Sequence, residues 1–393
     1  MTLSVVMYKN LGLSNTDIAL YTSWLYLPWV IKPLWSPVVD LFGRKRLWIV
    51  ALQVVIGIAL ALVALTVPAP WFFRATLAVF WLMAFSSSTH DIAADGFYLL
   101  ALPQDKQAAF VGVRSTFYRL SMIAGSGGLV YLAGHLERTT GQPTRAWSIV
   151  FILLAVGFGV LAVYHAWMLP RPAADKPNVR SGRAWRDGAT IFAAFFKKPR
   201  IVGALAFLLL YRLGEAQLVK LITPFMLDER AVGGLGLTTE QVGVYYGTFG
   251  VVALTIGGIL GGWLIFRHGF RRMLWPMVLA MNLPNLVYVG LAFAQPHAGY
   301  VVAGALAIEQ FGYGIGFAAY LVYMMRVAEG PHRTAHYAIC TGFMALGMML
   351  PGMASGWLQT QLGYANFFIW VVIAALPGFI AAAVVYRSLP EEE

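Results

Sequence analysis

The sequence of 393 residues contains one cysteine, Cys340. A single thiol excludes an intrachain disulfide and any metal site built from cysteines. Charged residues are also scarce, because Asp, Glu, Lys and Arg together make up 11% of the chain, whereas soluble domains carry about 25%. A chain of this length with so few charges cannot bury its apolar surface in a water-soluble fold.

Signals for enzymes and for secretion are missing as well. The chain has no HExxH or Walker A motif and no His/Cys constellation of the kind that holds a metal, which argues against a membrane-embedded enzyme. We therefore expect no catalytic residues, no metal and no cofactor. The N-terminus has no basic region before a short apolar core, so no cleavable signal peptide is predicted.

The chain is instead rich in long apolar segments. Hydrophobic residues make up 59% of it and the mean hydropathy is +0.70, which is typical of a polytopic membrane protein. The segments are too long for barrel strands and do not alternate, so an all-α protein is predicted. After an apolar stub at 1–8, the expected spans are 17–38, 47–67, 72–102, 108–134, 146–168, 199–226, 240–266, 272–293, 298–326, 335–359 and 365–387.

The basic residues orient these spans. Most of the 28 Lys and Arg residues fall in loops on one side, including 44–46 and 171–200. Basic loops face the cytoplasm, so that side and the C-terminus are predicted to be cytoplasmic. The same rule accounts for the net charge of +11 without a nucleic-acid partner.

An internal repeat predicts two similar halves. LGLSNTDIALY begins at Leu11 and LGLTTEQVGVY begins at Leu235, which is 224 residues later. FGRKR, with Gly43, corresponds to HGFRR, with Gly269, at an offset of 226. Such an offset indicates two parallel six-helix bundles, the arrangement of major facilitator transporters. It also predicts that the first helix of the first half is largely missing, and hence an upstream start in the gene.

One polar stretch, 169–198, separates the predicted halves. It contains Pro170, Pro172, Pro177 and several arginines, so we interpret it as a cytoplasmic linker. The predicted domains are thus an N-terminal bundle at 1–168, this linker, and a C-terminal bundle at 199–393. The end of the linker, 191–196, is either an amphipathic helix on the membrane surface or an extension of the next span.

The loop after the first full span is a candidate cytoplasmic gate. An acid, a glycine turn and a basic cluster follow one another there, and this pattern resembles the loop motif of major facilitator proteins. The acid could pair with an arginine at another helix end and latch the inner side, whereas the basic residues alone would reflect membrane topology. The gate candidates are Asp40, Gly43, Arg44, Lys45, Arg46 and Arg114.

A closer family resemblance is spread along the chain. Its residues are Lys32-Pro33-Leu34-Trp35-Ser36-Pro37 with Asp40, the acids Asp91 and Asp95, Tyr118-Arg119-Leu120 with Ser126-Gly127-Gly128, Tyr211-Arg212-Leu213-Gly214-Glu215-Ala216, and Glu309 with Gly312, Gly314 and Gly316. With these motifs the chain resembles the AmpG-type muropeptide permeases of the major facilitator superfamily. The resemblance implies proton-driven import of anhydro-muropeptides from periplasm to cytoplasm across the bacterial inner membrane.

Cations and aromatic residues inside the spans are the candidates for binding such a solute. A muropeptide carries carboxylates, and guanidinium groups bind carboxylates well. Lys32 could instead snorkel, as could Lys220, and Arg212 could simply neutralise Glu215 three residues away. The substrate-binding candidates are Lys32, Tyr118, Arg119, Tyr211, Arg212 and Gln310.

Four acids lie deep in the predicted spans, and an intramembrane acid is a candidate proton carrier. They are Asp91, Asp95, Glu215 and Glu309. Asp91 and Asp95 are four residues apart and share a helix face. We expect protonation of this pair to alternate with binding of the anionic solute to Arg119 and Arg212, unless the pair is permanently bound to those arginines.

The predicted function is therefore proton-coupled secondary transport of anhydro-muropeptides. The partners would be a small anionic solute, protons and the lipid bilayer, and the protein would be a monomer. The alternatives are a major facilitator carrier of another bulky organic anion, such as an acyl-CoA, a sugar conjugate or a drug, and a channel. Saturable, gradient-coupled uptake would distinguish a carrier from a channel.

Overall fold

The computed structural model describes residues 2–41, 43–102, 104–173, 175–176 and 181–390, and these residues fold into helices joined by short turns. The helices are α1 (Thr2–Asn10), α2 (Asn15–Trp24), α3 (Leu27–Leu41), α4 (Lys45–Thr66), α5 (Phe72–Ala101), α6 (Gln104–Met122), α7 (Val130–Thr140), α8 (Pro143–Met168), α9 (Ser181–Phe196), α10 (Ile201–Leu210), α11 (Leu213–Leu227), α12 (Thr239–Val242), α13 (Val251–His268), α14 (Phe270–Asn282), α15 (Leu286–Ala294), α16 (Gly299–Ala328), α17 (Arg333–Ile373) and α18 (Leu376–Ser388).

Each predicted span coincides with one helix or with two helices in line. Within the described residues, seven segments are long and apolar enough to cross a membrane, judged by length and composition. The longest of them, Arg333–Ser388, is broken within α17, where Gly363 has a φ of 71°. The stub before the first predicted span is α1, a helix of nine residues.

The sequence repeat is also a repeat of helix starts. Ser14 caps α2 by accepting a hydrogen bond from the Asp17 amide at 3.1 Å. At the equivalent place Thr238 caps α12, with its hydroxyl accepting from the Gln241 amide at 3.2 Å. These caps satisfy amides that have no partner within the helix. Both LGL motifs therefore begin a helix by the same local chemistry.

The second repeated motif ends helices in the same way. Gly43 has a φ of 87° and Gly269 a φ of 81°, values that glycine adopts without a Cβ penalty. Each glycine reverses the chain just before a basic helix start. The positions of Gly43 and Gly269 in the repeat thus follow from backbone geometry rather than from loop charge alone.

Two pairs of consecutive helices are each separated by a short break. The break between α2 and α3 lies at Leu25 and Tyr26, and the break between α10 and α11 lies at Tyr211 and Arg212.

The segments Ile123–Leu129 and Gly243–Gly250 are π-helical. Wide turns of this kind often mark functional sites, and these two pack against each other.

Glycines allow close packing within the second half. A Cβ on Gly257 would clash with the carbonyl oxygen of Phe311, and one on Gly314 would clash with that of Leu254. Helices α13 and α16 therefore approach backbone to backbone. A Cβ on Gly262, by contrast, would point into open space.

Contacts between loops define two faces of the molecule. At the first, which we call the Lys9 face, Lys9 pairs with Asp228 and Tyr364 donates to the same carboxylate. At the opposite face, which we call the Arg44 face, Asp175 is buried and accepts hydrogen bonds from the amides of Lys45 and Arg46 at 2.7 and 3.1 Å. Because an acceptor at a helix start compensates unpaired amides, Asp175 fastens the segment after α8 to the start of α4.

The end of the linker is a separate helix. α9 ends at Phe196, and Arg200 takes a left-handed φ of 59° before α10 begins. The prediction of an extension of the next span was therefore wrong. Phe195 is fully buried and stacks on Phe343 with a centroid distance of 6.3 Å, so that α9 packs against α17.

Candidate transport site

Hydrogen bonds between the two halves are concentrated at the Lys9 face. The Lys9 ammonium lies 2.5 Å from the carboxylate of Asp228. The Asn15 amide nitrogen lies within hydrogen-bond distance of Asp228, Gln359 and Tyr364, at 3.1, 2.9 and 2.9 Å, and its two hydrogens are shared among these acceptors. This network ties α1 and α2 of the first half to α11 and α17 of the second.

A second network seals the same face around Glu137. Its carboxylate accepts hydrogen bonds from Asn10 at 2.5 Å, Thr239 at 2.8 Å and the Trp147 indole at 2.9 Å. Nearby, Arg138 pairs with Glu240 at 3.2 Å. The contacts from Glu137 to Thr239 and from Arg138 to Glu240 again join the two halves.

Backbone contact completes the seal. A Cβ on Gly247 would clash with the carbonyl of Ser126, and one on Gly134 would clash with the amide of Glu240. At Gly247 the two π-helical segments therefore meet backbone to backbone, and the Thr248 hydroxyl lies against Gly127. The two halves are thus in direct backbone contact at the Lys9 face.

The paired aspartates lie between helices of the first half. The Lys32 ammonium lies 3.4 Å from Asp91, and Arg114 pairs with Asp95. Both aspartate side chains are 50% exposed. Their cationic partners thus differ from Arg119 and Arg212, the arginines that the sequence analysis had considered for them.

Two glutamates in the second half are far more enclosed. Glu309 is 1% exposed and accepts hydrogen bonds through Oε2 from Tyr288 and from the Gln310 amide, both at 2.9 Å. Its Oε1 has no partner among the described residues. Glu215, also 1% exposed, has no hydrogen bond to either oxygen in the described part of the chain.

The glutamates share their surroundings with Arg212. Arg212 donates to the Tyr313 hydroxyl at 2.6 Å and lies 5.3 Å and 5.0 Å from the rings of Tyr313 and Phe317. It also interacts electrostatically with Glu215, which in turn lies within electrostatic range of Glu309. Partial neutralisation of Glu215 by Arg212, one of the two interpretations, agrees with this arrangement.

A buried amide close to α16 is a feature that the sequence analysis missed. Asn285 is 1% exposed, and neither amide atom has a hydrogen-bond partner among the described residues. Its neighbour Pro284 lies where a Cβ on Gly312 would fall, one helical turn from Glu309 on α16. In the sequence, the presence of Asn285 inside the apolar span 272–293 could have indicated this buried amide.

The remaining substrate-binding candidates are dispersed. Arg119 donates to Thr255 at 3.1 Å and so links α6 with α13. Tyr118 is 67% exposed, whereas Tyr211 is buried and donates to the Gly316 carbonyl at 3.0 Å. Tyr211 therefore has the environment of a packing residue.

The gate candidates are described only in part. The side chain of Asp40 lies outside the described residues, so the predicted Asp40 latch stays a prediction. Arg114, its predicted partner, pairs with Asp95. Arg46 donates to the Leu169 carbonyl at 3.1 Å and to the Ala166 carbonyl, whereas Arg44 is exposed.

The sequence pattern of the Major Facilitator Superfamily matches residues 1–330. The chain belongs to this superfamily. It is accordingly a multi-pass membrane protein and a transporter of small molecules, not an enzyme.

Individual members of the superfamily show how far the similarity extends. An anhydromuropeptide permease of Escherichia coli strain K12 is 27% identical over 369 residues, which cover 92% of this chain and 71% of that protein. A Rickettsia conorii protein described as transporter AmpG 4 is 26% identical over 393 residues. The match covers 95% of this chain and 90% of the Rickettsia protein. The resemblance to AmpG-type permeases is thereby confirmed.

Solved structures of major facilitator proteins have the same fold. The crystal structure of a D-xylose–proton symporter superposes with a TM-score of 0.76 at 10% sequence identity and covers 99% of this chain and 93% of its own. At this identity the comparison establishes the fold alone. It confirms the predicted all-α major facilitator architecture.

Proposed function

We propose that this transporter imports anhydro-muropeptides into the cytoplasm of a bacterium and is driven by the proton gradient. The observation that carries the proposal is the division of ionisable groups into two kinds. Asp91 and Asp95 are half-exposed and held by cations, whereas Glu215 and Glu309 are enclosed, and three of their four carboxylate oxygens have no hydrogen-bond partner among the described residues. The similarity to the Escherichia coli anhydromuropeptide permease over 92% of the chain supports the solute class.

The half-exposed ion pairs suit a solute that bears carboxylates. Lys32 and Arg114 each neutralise one aspartate. Water reaches both aspartates, although Lys32 itself is more enclosed than Arg114, and solvent-exposed ion pairs are weak. A solute carboxylate can take over Lys32 or Arg114 while water solvates the released aspartate. The geometry therefore favours Lys32 and Arg114 over Arg119, which is bound to Thr255, as first contacts of the anion.

The enclosed glutamates suit a proton. A buried ionised carboxylate is costly unless donors satisfy its oxygens, and protonation removes that cost. Arg212 and Tyr288 lie close enough to respond when Glu215 or Glu309 changes charge. Within this proposal, Glu309 and Glu215 carry the coupling proton, and Asp91 and Asp95 take part in solute exchange.

The proposal includes the domain boundaries and the orientation. The bundles are 1–168 and 199–393, joined by the linker 169–198, and the basic Arg44 face with the C-terminus is cytoplasmic. The inner gate is formed by Asp40 with the loop Gly43, Arg44, Lys45 and Arg46. Since the Lys9 face is sealed by hydrogen bonds between the halves, the conformation described is the one closed to the periplasm.

Uptake by purified protein in liposomes tests the function. Radiolabelled GlcNAc-anhydroMurNAc peptide is supplied outside, with an inward proton gradient in one arm and with the gradient collapsed by an ionophore in the other. We expect saturable accumulation that needs the gradient. Equal uptake in both arms would rule out proton coupling, and uptake of an acyl-CoA but of no muropeptide would rule out the solute class.

Replacing Lys32 by methionine is expected to weaken uptake of the muropeptide. The substitution removes the cation beside Asp91, and the loss of a charged hydrogen bond corresponds to a rise in KM of roughly tenfold or more. The readout is the KM for uptake in liposomes. Arg267→Met is the control, because Arg267 is an exposed cation at the end of α13; an equal KM for the two variants would exclude Lys32 from the site.

A further inference from the structure

Lys220 is a cation enclosed between the two halves. It is 3% exposed, in the middle of α11. Its ammonium donates to the Thr22 hydroxyl at 3.1 Å and lies 5.0 Å from the centre of the Tyr26 ring. Because the ammonium is buried, the prediction that Lys220 snorkels does not describe this conformation.

The partners of Lys220 are few for a buried ammonium. The group has three N–H donors, and one of them is accounted for by Thr22. The Thr22 hydroxyl donates its own proton to the Ile18 carbonyl at 2.7 Å, which leaves a lone pair for Lys220. In the described part of the chain, no carboxylate lies within ion-pair distance of Lys220, and a buried charge is costly without such a partner.

The surroundings of Lys220 form a seam between the halves. Thr22 and Ser23 lie on α2, Lys220 on α11 and Gly352 on α17. A Cβ on Gly352 would meet the Ser23 hydroxyl at 2.8 Å and the Lys220 Cγ at 3.3 Å. The Ser23 hydroxyl is itself buried without a hydrogen-bond partner among the described residues. Polar groups with so few partners fit a seam that is not always closed.

Opening of the Lys9 face would change this environment. Thr22 and Tyr26 belong to the first half and Lys220 to the second, so that separation of α2 from α11 removes both partners at once. The ammonium is then left on the wall of the opened path with its donors unused. A carboxylate is the group that best satisfies such a cation.

We propose that Lys220 binds a carboxylate of the solute when the Lys9 face is open, and that Thr22 and Tyr26 replace this carboxylate when the face closes. The proposal rests on the proposed function in that the solute must be anionic. Closing the seam against α2 then expels the anion from Lys220 toward the Arg44 face. Lys220 thus binds the solute only in the state that is open at the Lys9 face. Lys32, by contrast, pairs with the half-exposed Asp91 in the closed conformation.

The test compares Lys220→Met and Lys220→Arg in membrane vesicles of both orientations. Muropeptide is supplied with free peptide carboxylates or with those carboxylates amidated. For Lys220→Met we expect the KM of the free acid to rise about tenfold or more when it is supplied at the Lys9 face. We also expect little change at the Arg44 face and loss of the preference for acid over amide. Lys220→Arg should retain the preference.

Other outcomes of this comparison decide against one proposal or the other. An unchanged preference in Lys220→Met would overturn the role of Lys220, and so would an equal rise in KM from both faces. If the wild type transports neither muropeptide, the proposed function fails, and this result is separate from any effect of the variants.

A second measurement needs no solute and covers the case in which Lys220→Met does not fold. Ser23→Cys, in a Cys340→Ala background, reports opening of the seam through labelling by a membrane-impermeant maleimide. Thr22→Val removes the hydroxyl that satisfies Lys220 in the closed state, so labelling should increase at least about threefold. If the variant that also carries Thr22→Val is labelled no more than the Ser23→Cys, Cys340→Ala protein with Thr22 intact, the proposal is overturned.

Discussion

Glu309→Gln is expected to abolish accumulation of solute against its gradient while exchange of internal for external solute continues. Glutamine mimics the protonated form of glutamate, so the site no longer alternates between two charge states. It can still accept the hydrogen bond from Tyr288 and keep the contact with Gln310, so we expect the fold to survive. The measurement is gradient-driven uptake and counterflow in the same liposome preparation.

The control for this substitution is Glu329→Gln. It makes the same chemical change at an exposed residue just after α16, and it should leave both activities unchanged. Glu215→Gln is expected to lose accumulation as Glu309→Gln does, because the two carboxyl groups are within electrostatic range of each other. If both glutamate variants still accumulate solute against its gradient, the glutamates do not carry the coupling proton, and Asp91 and Asp95 become the candidates.

Gly247→Ala is expected to shift the protein toward the state that is open at the Lys9 face. The added Cβ would overlap the carbonyl of Ser126 on the facing π-helical segment, and backbone atoms cannot yield as a flexible side chain can. Overpacking of this kind costs about 1–3 kcal/mol. In a state open at the Lys9 face the two segments would be apart, so this cost should fall on the closed state alone and move the equilibrium by roughly tenfold.

Labelling of Ser23→Cys in a Cys340→Ala background measures this shift, since Ser23 is fully buried while the seam is closed. Two glycine substitutions serve as controls. Gly262→Ala meets open space and should leave labelling unchanged, whereas Gly314→Ala would clash with Leu254 inside one half. Gly314→Ala should therefore lower the thermal stability without raising the labelling. Equal labelling of the Gly247→Ala and Gly262→Ala variants would contradict the prediction.

The fold was largely predictable because its determinants are local. An apolar run of membrane length specifies a helix wherever it occurs, since unpaired backbone groups are too costly in lipid. The starts at Ser14 and Thr238 depend on the next three residues, and the turns at Gly43 and Gly269 depend on backbone freedom. The breaks at Tyr26 and Arg212, by contrast, were not predicted, although Pro28, which has no amide hydrogen to donate, follows the first of them.

For the candidate site, the sequence determined which groups are present and which of them share a helix face. It identified Asp91 and Asp95 as neighbours and Glu309 as an acid deep in a span. A helical period, however, fixes the direction of a side chain and not the helix that it meets. The choice of Lys32 and Arg114 as partners of the aspartates was therefore made by the tertiary structure.

The same reason separates Lys220 from the other cations. Its sequence neighbourhood, an isolated lysine in an apolar helix, is equally consistent with a snorkelling residue and with a functional one. Only the approach of α2 and α17, which is permitted by Gly352, encloses its ammonium and gives it the Thr22 hydroxyl as a partner. The sequence by itself thus determined the membrane fold and its repeat, whereas the meeting of distant helices decided which charges are buried, paired or left without a partner.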